Sequence, residues 1–167
     1  MANLLGVTVL AGADRMRSAV EGALGSGGAA PAALVHLAVY PGESAEALHR
    51  VLGISQPGTA QVVQRLVDQG LLERRPGRDR RTQALHLTAA GRRTLDELLE
   101  RRAETLNALL APLSDDERVQ ITQLLEKVVA GLAADRPEAL TTCRLCDREA
   151  CRREPGCPLV DTIRSSR

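Results

Sequence analysis

Residues 44–76, SAEALHRVLGISQPGTAQVVQRLVDQGLLERRP, decide the fold. Two short amphipathic runs flank a tight break. In the first, which starts at Glu43 or Ser44, the residues Ala45, Leu48, Val51 and Leu52 share one helical face. Gly53 ends it. Ser55 is placed to cap the next helix, and Pro57 falls in its first turn, where a missing N–H costs nothing. Val62, Val63, Leu66 and Val67 mark the inner face of that second helix, with Gly70 as its stop. Two short helices joined by Gly53-Ile54 form a helix-turn-helix pattern. A recognition helix needs an apolar face to stay docked and a polar face to read base edges. Gln56, Gln61, Gln64 and Arg65 fall mostly opposite the apolar set. Gln pairs bidentately with adenine and Arg with guanine. Ser55 and the first-turn N–H groups suit a phosphate.

Directly downstream, residues 71–75 and 83–87 are short candidate strands around the turn-rich loop 76–82, a hairpin. Arg78, Arg80 and Arg81 at its tip are placed to meet the DNA backbone or minor groove, and Asp79 to hold one of them. A hairpin after a helix-turn-helix makes the winged version; the alternative is an all-α bundle with a β-turn flap. Charge agrees with the wing. Residues 71–93 hold seven arginines against two acids, while the whole chain of 167 residues nets only +1. A basic block in a neutral protein points to one local anionic contact, although a solvated charge run has the same composition. One Tyr and no Phe or Trp exclude base-stacking platforms and leave a core of Leu, Val, Ile and Ala.

Working outward, residues 4–24 carry Leu4, Leu5, Val9, Met16, Val20 and Leu24 at roughly helical spacing, although Val7-Thr8-Val9 is β-prone. Pro31 opens a helix that Pro41-Gly42 ends. Thr88 caps a long helix with Leu95, Leu98, Leu99, Leu106, Leu109 and Leu110 on one stripe. Ser114-Asp-Asp-Glu117 is a capping box. The last helix carries Ile121, Leu124, Leu125, Val128, Val129 and Leu132, with Pro137 expected to end it.

Four segments together resemble the MarR family of bacterial regulators: Leu52-Gly-Ile-Ser-Gln-Pro57, Arg65 through Pro76, Asp79-Arg-Arg81 and Leu87-Thr-Ala-Ala-Gly91. The resemblance spans roughly residues 4–133. It implies a homodimer held by the first and last helices, with two recognition helices in successive major grooves of a palindromic operator in double-stranded DNA. Gly58 and Gln61 depart from the family, where Thr or Ser and Arg are frequent, so the base readout is this chain's own. The expected fold is mainly α with a small β-hairpin wing: a winged helix-turn-helix with N- and C-terminal dimerisation helices. Residues 1–30 form the first dimerisation helix, 31–91 the DNA-binding domain, 92–137 the C-terminal dimerisation helices and 138–167 a cysteine-rich tail.

That tail holds every cysteine: Cys143, Cys146, Cys151 and Cys157, spaced C-x2-C-x4-C-x5-C and followed by Pro158. A C-x2-C turn lets two thiolates bind one centre, and two more nearby complete a four-thiolate shell. Free thiols or disulfides are the alternative. The ending Cys151-Arg-Arg-Glu-Pro-Gly-Cys157-Pro-Leu159 resembles the cluster loop of SoxR-type redox regulators, although the spacer between Cys146 and Cys151 is longer. This favours an iron–sulfur cluster, with Zn2+ as the alternative. Arg144, Arg148, Arg152 and Arg153 would offset the charge of the thiolates. Following the last helix, the tail is expected to act on dimer geometry.

His36, His49 and His86 form no site, and no nucleophile–base pair or phosphate loop is present. A thiol oxidoreductase lacks the βαβ pattern it would need. The N-terminal apolar run has no Lys or Arg before Arg15 and is too short to span a bilayer, so a cytoplasmic protein with no membrane partner is expected. The sequence therefore reads as a non-enzymatic regulator, a repressor responsive to redox state or iron. The alternative is a regulator with a structural zinc tail and a small-molecule effector.

Overall fold

A computed structural model describes residues 1–25, 27–77, 82–152 and 157–159. Its elements run in chain order: α1 (Ala2–Leu24), α2 (Ala30–Val39), α3 (Ala45–Leu52), α4 (Gln56–Asp68), β1 (Leu72–Pro76), β2 (Gln83–Leu87), α5 (Ala89–Leu110), α6 (Asp115–Ala130) and α7 (Arg136–Thr142). A single 3-10 turn, Ala150–Arg152, follows.

Side-chain caps set most of the helix starts. The Ser44, Ser55, Thr88 and Asp135 side chains accept from Ala47, Gly58, Gly91 and Glu138 backbone N–H groups. Ser114 and Glu117 form the reciprocal capping box expected of them. Gly25 and Gly53 end α1 and α3 in the left-handed conformation, at φ 63° and 65°. The β-prone Val7-Thr8-Val9 lies within α1, and Thr8 Oγ1 donates to Leu4 O at 2.8 Å, a rotamer open to a helical threonine. One boundary differs from the sequence reading. The helix carrying Ile121 and Leu125 stops at Ala130, before Gly131, and Pro137 instead lies in the first turn of α7. Proline is tolerated there because first-turn N–H groups have no partner inside the helix.

Around α2 sits the core. Ala30 through Leu37 are all buried, so α2 is apolar on every side and is wrapped by its neighbours. Val20 and Leu24 of α1, Leu48 and Leu52 of α3, Val63 and Leu66 of α4, Leu72, Leu85 and Leu87 of the hairpin, and Leu95 and Leu98 of α5 close over it. The hairpin is antiparallel, with Leu72 opposite Leu87 and Pro76 opposite Gln83. Residues 42–43 lie along its inner edge: Gly42 N–H donates to Leu85 O at 2.9 Å and Leu85 N–H to Glu43 O at 3.0 Å. Buried His36 anchors that segment, its Nε2 lying 2.6 Å from Glu43 Oε2. Here His36 is a core group, as a lone helical histidine usually is.

Two apolar faces are left uncovered. Leu4, Leu5, Val7, Val9 and Leu10 of α1 are exposed. No residue of α6 is buried, and Val119, Leu124, Leu125 and Val128, with Leu132 just beyond, face solvent. Among the described residues, no helix is long and apolar enough to cross a membrane.

Candidate nucleic-acid interface and cysteine cluster

The α3–α4 turn is held by His49, whose Nδ1 lies 2.6 Å from Ile54 O. Ser55 caps α4 through its hydroxyl, 3.2 Å from Gly58 N. Thr59, Val63 and Leu66 dock α4 on the core. Gln56, Gln61, Gln64 and Arg65 are all exposed, with Gln61, Gln64 and Arg65 on the side away from the buried set and Gln56 at the start of the helix. They differ in freedom. Gln64 Nε2 donates to Asp68 Oδ1 at 2.7 Å, and Gln64 Oε1 accepts from Arg74 Nη2 at 2.9 Å. Gln64 thus links α4 to β1. Arg74 was missed in the sequence, where it is one arginine of a basic block. Arg78, Asp79, Arg80 and Arg81 lie outside the described residues.

Backbone contact sets the root of the wing. A Cβ built on Gly91 would lie 2.1 Å from Leu71 O, so only glycine lets α5 approach the start of β1 this closely. Thr88 N–H donates to Leu71 O at 3.1 Å, and Thr88 Oγ1 donates to Gly70 O at 2.7 Å. The Leu-Thr-x-x-Gly segment is therefore a joint. It fixes the hairpin, and with it Arg74, against α4 and α5.

The cysteine tail folds back on the body instead of trailing from α6. Its α7 packs against α3, and the guanidinium of Arg136 stands over the Tyr40 ring at 5.9 Å. Leu145 packs on the main core. A second, small core gathers Ala133, Ala139, Cys143 and Leu159, with Val129, Cys146 and Cys157 beside it. Turns within the tail bring the four cysteines together. Cys146 N–H donates to Cys143 O, Asp147 Oδ1 accepts from Glu149 and Ala150 N–H, and Cys157 N–H donates to Cys151 O.

The backbone bonds Cys146 N–H to Cys143 O and Cys157 N–H to Cys151 O set the thiols as two pairs, Cys143 with Cys146 and Cys151 with Cys157. The Cys146 thiol is lowered to about 6, first by its hydrogen bond with Cys143, then, against burial, by Arg102 and Arg148. Cys143, the other half of that pair, is pushed up by the same bond and by burial. Cys151 is pushed up to about 11, first by burial and then by the charges of Cys146 and Cys157. All four cysteines are free thiols. As a donor set they fit a four-thiolate centre. As placed, they are two pairs: among the described residues no three His, Cys, Asp or Glu side chains form a ready metal shell. Of the arginines expected to balance the thiolates, Arg148 is at the cluster, and Arg144 turns away to donate to Thr141 O at 2.7 Å. Arg153 and the Arg152 side chain lie outside the described set. Arg102, from α5, was not foreseen.

The model of the MarR family matches residues 26–82. Uncharacterized proteins of Mycobacterium tuberculosis and Mycobacterium bovis are 39% identical over 90 residues, which is 53% of this chain. The match spans 62% of the length of those relatives. MepR of Staphylococcus aureus, a transcription regulator of a multidrug efflux pump, superposes with a TM-score of 0.70 at 17% identity, covering 80% of this chain and 98% of that one. A MepR variant bound to an oligodeoxyribonucleotide gives 0.62 at 18% identity, covering 79% and 97%. A probable transcriptional regulator of Pseudomonas aeruginosa is 27% identical, with a TM-score of 0.56, over 74% of this chain and 96% of that one.

Proposed function

We propose that this chain, whose residues 26–82 match the model of the MarR family, is a sequence-specific, DNA-binding transcription regulator, a repressor acting as a homodimer on a palindromic operator. It is a regulator and not an enzyme, as its family and its structural neighbours are. The observation that carries the reading is the recognition helix. The buried residues of α4 dock it on the core, while Gln61 and Arg65 are exposed on the side away from it, and Gln56 at the helix start, beside a wing locked by the Gly91–Leu71 contact. MepR, of the same fold, has been captured with DNA. Support for the dimer comes from the two uncovered apolar faces, on α1 and α6, where the family resemblance puts the interface.

The test is fluorescence anisotropy with a duplex selected from genomic fragments. Gln61→Ala should relax preference at one base position, at about 1–3 kcal/mol for a bidentate contact. Arg81→Ala should weaken all sequences alike and reduce the salt slope by about one. A protein that binds the selected duplex no better than random DNA would end the proposal.

Within this reading, the tail is a four-cysteine centre that makes the regulator responsive to redox state or iron. The backbone turns that pair Cys143 with Cys146 and Cys151 with Cys157 support it, as does a C-x5-C-P-L ending suited to an iron–sulfur cluster. Zn2+ on the same ligands is the alternative. When bound, a cluster would supply one-electron redox chemistry at the sulfurs. The protein's part is to hold Cys143 buried and the other three sulfurs half-buried, seated on the α2–α3 and α5 surfaces instead of on α6 alone. Anaerobic purification with iron, sulfide and zinc analysis decides between the centres. A chain with none of the three removes the tail's proposed role and leaves the DNA-binding proposal standing.

A further inference from the structure

Neighbouring arginines on β1 differ in what meets their charge. Strand alternation puts Glu73 and Arg75 on one face and Arg74 on the other. Arg75 Nη2 lies 2.5 Å from Glu73 Oε1, so a carboxylate already offsets its charge. Exposed Arg74 instead donates from Nη2 to Gln64 Oε1 at 2.9 Å, and among the described residues its guanidinium pairs with no carboxylate. A neutral amide orients a guanidinium without neutralising it. The amide is itself oriented: Gln64 Nε2 donates to Asp68 Oδ1 at 2.7 Å, which turns the amide oxygen toward Arg74. Both ends of the Gln64 amide are therefore engaged, whereas reading an adenine takes its N–H and its oxygen together. Gln64 is also the ninth of the 13 residues of α4, about 12 Å along the helix from Gln56. In a helix-turn-helix the first residues of the recognition helix meet the base edges, so a late residue lies toward the rim of the groove.

We propose that Arg74 is a contact to the DNA backbone at the seam between recognition helix and wing, and that Gln64 and Asp68 are positioning residues that hold its guanidinium there instead of reading a base. This rests on the DNA-binding reading above. The ligand chemistry is that of a phosphodiester. A guanidinium presents several N–H donors in one plane, and with one of them on Gln64 the others are left for a phosphate oxygen. The place fits as well. Sugar–phosphate strands flank the major groove on both sides, and a side chain at the edge of a helix seated there meets one of them. The backbone of Arg74 is anchored through the start of β1, where Thr88 N–H donates to Leu71 O at 3.1 Å. Holding the side chain in advance lowers the rotamer entropy lost when DNA binds.

Affinity of the full chain for the selected duplex and for random DNA, read by anisotropy from about 50 to about 200 mM salt, tests this. Arg74→Gln should weaken both duplexes by the same factor, roughly 10–100-fold at the lower salt, as loss of a charge-assisted hydrogen bond does. Its salt slope should fall by about 0.9, so the gap from the wild type narrows roughly 3–4-fold across that range. Gln64→Ala should weaken both duplexes about 2–10-fold, with base preference unchanged at every position. Added to Arg74→Gln it should cost nothing further, because it acts through Arg74. Arg74→Lys should keep the slope and recover part of the affinity, restoring the charge without the planar fork. Arg75→Gln, whose partner is Glu73, should keep the wild-type slope. An unchanged slope in Arg74→Gln, an equal fall in Arg75→Gln, or a preference relaxed at one base pair in Gln64→Ala overturns the inference and leaves the DNA-binding reading standing. A wild-type chain that binds neither duplex overturns that reading and this inference with it.

Discussion

Replacing Gly91 by alanine sets two physical effects against each other, and the structure says which wins. Helix propensity favours alanine by up to about 1 kcal/mol, less in a first turn. The new Cβ, however, would stand 2.1 Å from Leu71 O, a backbone atom that cannot rotate aside. Leu71 is held from both sides: its N–H donates to Leu66 O at 2.9 Å, and its carbonyl accepts from Thr88 N–H at 3.1 Å. Relieving the clash moves α5 away from the hairpin and strains both bonds. Overpacking costs about 1–3 kcal/mol and a lost hydrogen bond about 1 kcal/mol more, which leaves a net destabilisation of roughly 2–3 kcal/mol. For a chain of this size that is a fall of about 5–10 °C in Tm. Thermal unfolding followed by circular dichroism, at one fixed protein concentration, reads it directly. Gly12→Ala is the control, since its Cβ meets only Leu109 Cδ1 at an ordinary 3.6 Å. That variant should gain up to about 1 kcal/mol. The Gly91 variant should also lose operator affinity beyond its loss of stability, because the hairpin would be re-aimed. A Tm for Gly91→Ala at or above the wild-type value would show that helix propensity governs and that the joint is not tight.

Three further outcomes are expected. Leu125→Asp with Leu132→Asp should sediment as a folded monomer, because neither side chain is buried within its own chain; a persistent dimer would place the interface elsewhere. Glu43→Ala strips buried His36 of its one hydrogen-bond partner among the described residues and should cost about 1–3 kcal/mol, with Glu43→Gln milder; an unchanged urea midpoint for Glu43→Ala would show that the pair contributes nothing. The Glu117 carboxyl is held below its ordinary 4.5, first by the Ser114 backbone N–H and then by the Ser114 hydroxyl. Its contribution to α6 is therefore present above the unfolded value and lost as pH falls through the lower folded one. Ser114→Ala should move the Glu117 titration, followed by NMR, back toward 4.5, and an unmoved titration would deny the hydroxyl's part.

Much of this protein was legible in the sequence because local rules acted alone. Ser44, Ser55, Thr88 and Ser114 cap the helices they precede, and Gly53 turns the chain because a left-handed residue there costs glycine nothing. The apolar spacing of α4 put Gln56, Gln61 and Arg65 outward before any coordinate was known. Where the chain meets itself, the sequence was silent. Nothing in Leu-Thr-x-x-Gly says that Gly91 abuts Leu71, 20 positions earlier. Gln64 reads as a base-reading residue, and only the fold shows Arg74, across the turn, donating to its carbonyl oxygen. Pro137 read as a helix end, since proline breaks a helix within it but also opens one, and only the fold of the tail chose between the two. Arg102 lay unnoticed in a helix read for its leucines. A hydrogen-bond rule or a cap acts over three or four residues and is written in their order. The seating of Cys146 and Arg148 against Leu95 and Leu99 of α5 depends on the tail folding back, and burial of Leu140, Leu145 and Leu159 drives that return. Such long-range burial is decided by the summed surface of the whole molecule and leaves no mark in the spacing of any one segment.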